Sequence, residues 1–141
     1  MERAFLDPIE PKEVIAEANE FLHDDAAYIF ETWWGLWVYD KDWTLRPARV
    51  AIHCFGPRFS DSPLGDEDQQ AEHLRIDFGL DSWFLPQAEL PNAAWYARSN
   101  LKGLLKYVHS LDEALPVERR SLWSESGGNF AERLREAAKE L

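Results

Sequence analysis

Three aromatic-rich segments, 27–39, 45–55 and 72–85, alternate apolar and polar residues with a period of two. That period belongs to β-strands, whose successive side chains leave opposite faces of a sheet. Placing Trp34 with the inward set puts Glu31, Trp33, Trp37 and Tyr39 together on the other face. The same phase assigns Arg49 and His53 to that face of the second segment, and His73, Arg75 and Asp77 to that face of the third. Val50, Ile52 and Cys54 then point inward on the second strand, and Leu74, Ile76 and Phe78 on the third.

The strands are joined by recognisable punctuation. Asp40-Lys41-Asp42 is a hairpin turn that makes the first two segments antiparallel. Gly35 marks a bulge or a close approach. Pro47 cannot donate to a ladder, so the second strand is expected from Ala48 until Gly56-Pro57 closes it. The acidic stretch 60–70 reads as a polar loop, and the third strand is expected to continue beyond Gly79 through Trp83-Phe84-Leu85.

Helical periodicity brackets these strands. Over 9–23, Val14, Ile15, Ala18, Phe21 and Leu22 form one apolar arc beside an acidic stripe of Glu10, Glu13, Glu17 and Glu20, with Asp7-Pro8 as its start. Ala97, Leu101, Leu104, Leu105 and Val108 share one face of a helix over 94–109, in which Gly103 suggests close packing. Ser110 through Glu113 has the form of a capping box for a further short helix ended by Pro116. Gly127-Gly128-Asn129 caps a last helix carrying Phe130, Leu134, Ala138 and Leu141. The predicted fold is α+β, one domain over 1–141: a three- or four-stranded antiparallel sheet with the N-terminal helix and C-terminal helices packed on it, in the order α-β-β-β-α-α.

Net charge is −11, and it is unevenly spread: residues 1–44 hold eleven acids against three bases, and residues 60–92 eight against one. Nucleic-acid surfaces need clustered Lys and Arg, so direct nucleic-acid binding is disfavoured, whereas a basic protein partner is allowed by the complementary field and an acidic surface also serves solubility. No apolar run has the length of a membrane span, the start of the chain lacks the pattern of a signal peptide, and a single cysteine, Cys54, excludes an intrachain disulfide. The expected compartment is the cytoplasm, with no membrane association.

No reaction motif is present. His53 and Cys54 are adjacent on a strand and leave opposite faces, so they cannot share a metal, and no HxH or HExxH spacing occurs. The glycines form neither GxGxxG nor a phosphate loop, and Asp66-Glu67-Asp68 lacks the alternating spacing of an EF-hand loop. No metal, cofactor or catalytic residue is therefore assigned. The expected function is a small acidic non-catalytic protein-binding module, its contacts Glu10, Glu13, Glu17, Glu20, Trp33, Trp37 and Tyr39, with a homo-oligomer through the sheet face as a further option. Its profile of size, acidity and element order is similar to that of immunity-type inhibitors of basic toxins and of small acidic secretion chaperones. The alternative is a small-molecule site or enzyme using Glu31, Arg49, His53, His73, Arg75 and Asp77 on the open sheet face.

Overall fold

The computed structural model describes residues 10–59, 72–122, 124 and 128–139. In chain order they form α1 (Pro11–Glu20), β1 (Ala27–Tyr39), β2 (Trp43–Phe55), β3 (Leu74–Asp77), a 3₁₀ turn (Asp81–Trp83), α2 (Ala93–Ala114) and α3 (Gly128–Lys139). The three strands make one antiparallel sheet in the order β1-β2-β3, so the architecture is the expected α+β with α-β-β-β-α-α succession. The expectations for residues 7–8, 60–70, 127 and 141 lie outside the described residues.

One register spans the whole β1–β2 pair. The Tyr39 and Trp43 rings meet at the hairpin, the Thr32 hydroxyl donates to the Val50 carbonyl, and the Gly56 amide donates to the Ala26 carbonyl. Each pairing lies the same number of residues from the turn on both strands, so no net residue is inserted at Gly35. The expected bulge is absent; Gly35 accommodates the Leu45 side chain, which lies 3.5 Å from where a Cβ would stand.

The register also explains why β2 begins at Trp43, five residues before the predicted start at Ala48. Pro47 sits opposite Gly35 at a position whose nitrogen faces away from β1. β3 has only four residues, and the Phe55 amide donating to the His73 carbonyl places it beside the far end of β2. Pro47 therefore leaves no ladder bond unmade, as on an edge strand.

The chain divides into two compact units. The first comprises residues 1–30 and 52–76, the second residues 31–51 and 77–141. In the first, α1 starts at Pro11 with Glu10 as N-cap, since proline's fixed φ and missing amide suit the first helical turn. Contrary to the predicted apolar stripe, α1 buries none of its residues: Ile15 is exposed, as are Phe21 and Leu22 just beyond its end, and only Val14, Glu17 and Ala18 are half-buried. Gly56 is obligatory there, because a Cβ would stand 2.3 Å from the Asp24 carbonyl oxygen.

The second unit holds a packed core. Leu36 of β1 and Ala48 of β2 meet Phe84, Leu85, Leu101, Leu104 and Leu134, with Trp34, Val38, Phe78, Trp83, Val108 and Phe130 closing around them. Burying a leucine fully contributes about 1.5–3 kcal/mol, so α2 and α3 are held chiefly by this apolar contact. The predicted strand continuation at 81–85 is a 3₁₀ turn instead: Gly79, at φ +82°, redirects the chain and lets Phe84 and Leu85 enter the core. The predicted second short helix is the last turn of an uninterrupted α2, in which the Ser110 hydroxyl donates to the Lys106 carbonyl rather than capping. Gly103 is exposed with nothing within 4 Å of a built Cβ, so close packing is not its role. Asn129 lies inside the first turn of α3 rather than at its cap.

Candidate protein-binding surfaces

Burial along β1 follows the predicted phase. Residues 28, 30, 32, 34 and 36 are buried or half-buried, while 27, 29, 31, 33 and 35 are exposed. Trp33 is 51% exposed and Leu45, on the same face of β2, is 58% exposed. The register sets Trp33 opposite Arg49, Gly35 opposite Pro47 and Trp37 opposite Leu45. Glu31, Trp33, Gly35, Leu45, Pro47 and Arg49 are all exposed, and together they form a continuous patch on the second unit. Its charges are matched internally, with Arg49 and Glu31 2.5 Å apart.

Trp37 and Tyr39 lie on the predicted face but are half-buried rather than open. The beginning of α2 covers Trp37, and Trp43 of β2 flanks Tyr39. Trp37 packs tilted against Tyr96 at 4.9 Å and edge-on to Trp95 at 6.2 Å, while Tyr39 meets Trp43, which stacks on Tyr96 at 4.4 Å. The Trp43 indole also donates to the Pro91 carbonyl, 2.6 Å away. These rings hold the hairpin end against the helix. Trp95 itself remains largely exposed.

Asn100 was not singled out by sequence reasoning. It is 3% exposed, in the middle of the apolar stripe of α2. Its side-chain oxygen accepts from the Trp37 amide at 2.9 Å, and its NH₂ group donates to the carbonyls of Trp37 and Trp83 at 2.9 and 2.8 Å. The Trp37 backbone groups face outward from edge strand β1, so one amide side chain replaces a neighbouring strand there and blocks the edge. A polar residue interrupting an otherwise apolar helix face was the available signal.

The remaining predicted site residues make local pairs. Glu31, Arg49 and Asp77 belong to the second unit; His53, His73 and Arg75 belong to the first. Arg75 pairs with Glu72 at 2.6 Å and lies 5.3 Å from the Phe55 ring centroid. Asp77 accepts from the Gly79 amide. His53 is half-buried and stacks on Phe55, and His73 is exposed, its carbonyl used by β2. Among the described residues no group of three or more His, Cys, Asp or Glu side chains converges as a metal site. The half-buried Cys54 lines a cavity of about 280 Å³ in the first unit with Leu22, Tyr28 and Phe55, and desolvation pushes its thiol pKa up.

On α1, Glu10, Glu13 and Glu20 are exposed and Glu17 is half-buried. The division into units separates charge strongly. The first carries thirteen acids and four bases, a net of −9; the second carries thirteen acids and eleven bases, a net of −2. Among the described residues no helix is long and apolar enough to cross a membrane. No family model matches the chain, and no curated protein or solved structure matches it either.

Proposed function

We propose that this chain is a non-catalytic protein-binding module that takes a basic protein on its acidic first unit. The observation that carries this reading is α1, a helix that buries none of its residues while presenting Glu10, Glu13 and Glu20, with Glu17 beside them. An isolated helix of this length is marginal in water, and a partner laid along it supplies the missing contact. The −9 charge of the unit provides the field that steers a basic partner and orients it on arrival.

An immunity-type inhibitor of a basic toxin is the form of the proposal best supported. A secretion chaperone of the alternative kind adds a second strand pair after the middle helix, and the described residues after β3 contain no strand. The free Cys54 fits work in a reducing compartment, the cytoplasm.

Affinity capture from the host's own lysate, eluted with a salt gradient, tests the reading. Wild-type bait is expected to retain a basic protein that elutes as salt rises, and a Glu13→Lys/Glu17→Lys bait to lose it at low salt. Equal retention by both baits at low salt refutes the role of α1.

A further inference from the structure

The exposed sheet patch of the second unit has properties that the acidic first unit lacks. It is apolar at its centre, where Trp33, Leu45 and Pro47 lie exposed and Leu45 leans over Gly35 to fill the gap between them. It sits on a unit of net charge −2, against −9 for the first unit. Its rim carries both signs, Glu31 and Arg49, close enough to pair. A patch bearing one acid and one base beside an apolar centre is complementary to itself: a two-fold axis through it places each copy's Glu31 against the other's Arg49.

We infer that this patch is a face-to-face dimer interface, its partner a second copy of this chain. The inference goes beyond the basic-partner reading and does not depend on it, because the two surfaces share no residue. Sheets pack in this way when flat apolar faces meet with their strand directions nearly aligned. Trp33, Leu45, Pro47 and the stems of Glu31 and Arg49 offer roughly 400–500 Å² per copy, about half of a standard interface. The dimer is accordingly transient, with a dissociation constant on the order of 0.1 mM.

Sedimentation equilibrium of the full chain up to about 0.5 mM, roughly five times that constant, reads the association directly. The mass is expected to rise from 16.4 kDa towards twice that value. Trp33→Ser should weaken association at least tenfold while retaining the wild-type far-UV spectrum, and Leu45→Ser serves the same purpose if the first variant fails to fold. The decisive arm uses charge. Glu31→Arg alone and Arg49→Glu alone should each stay monomeric, whereas mixing the two should restore a heterodimer. A wild-type mass that stays at 16.4 kDa throughout overturns the inference, as does a dimer indifferent to all four substitutions or a mixture that fails to associate. Retention of a basic protein by a monomeric wild type would sink this inference alone and leave the acidic-unit reading standing.

Discussion

Replacing Asn100 by alanine deletes three hydrogen bonds at one point, and the structure indicates how much each is worth. The Trp37 amide, the Trp37 carbonyl and the Trp83 carbonyl lose their partner together. An unsatisfied buried backbone group costs about 1–3 kcal/mol. Trp37 and Trp83 are only half-buried, so water partly compensates, and the lower end of that range applies. The expected total is about 3–4 kcal/mol, a large share of the 5–15 kcal/mol available to a typical domain. Urea unfolding followed by tryptophan fluorescence measures the total, and amide exchange at Trp37 locates it. Although Trp37 lies on an edge strand, its amide should be strongly protected in the wild type and exchange freely in the variant.

Asn100→Asp sharpens the test. It keeps an acceptor for the Trp37 amide but turns the NH₂ group that served two carbonyls into a single oxygen facing both, and it adds a charge at a site 3% exposed. That variant should be no more stable than Asn100→Ala at neutral pH. It should recover stability in acid, where protonation restores one donor. The reasoning is refuted if alanine costs less than about 1 kcal/mol, or if Trp37 exchanges equally fast in wild type and variant.

Two further outcomes follow from single residues. Gly103→Ala should stabilise the protein by about 0.8–1 kcal/mol and raise Tm by about 3 °C, because the added methyl meets nothing and the helix loses a poor former; a Tm unchanged or lowered contradicts this. For Cys54, burial holds the folded thiol above its ordinary pKa, so the unfolded chain releases that proton first and stability should fall as pH rises past the ordinary thiol range; a pH series compared with Cys54→Ser should show this slope only in the parent.

The periodicities alone carried the strand phase, the element order and most of the α2 face. These are local properties: alternation at 27–39 and the spacing of Ala97, Leu101 and Leu104 report a half-buried environment whatever lies opposite. The face holding Glu31, Trp33 and Arg49 was legible for the same reason. Most misses occurred where a distant segment decided the outcome. Pro47 is tolerated in β2 because its nitrogen faces away from β1 and β3 is only four residues long, whereas Ser110 is a local exception, its hydroxyl donating to the Lys106 carbonyl one turn back. Trp37 was half-covered by Trp95 and Tyr96, more than fifty residues away in the chain.

The apolar arc of α1 shows the converse. Its sequence pattern announces a buried stripe, yet Ile15, Phe21 and Leu22 stand exposed, because periodicity specifies an amphipathic helix and not the presence of a surface to receive it. The amino-acid order by itself determined which residues share a face, since φ/ψ preferences and side-chain period act within a few residues. Only the tertiary structure decided which faces are covered, which edge Asn100 closes, and that −9 of the −11 net charge falls in one unit while the other displays an exposed aromatic patch. Those outcomes depend on contacts between segments far apart in the chain, which no local pattern encodes.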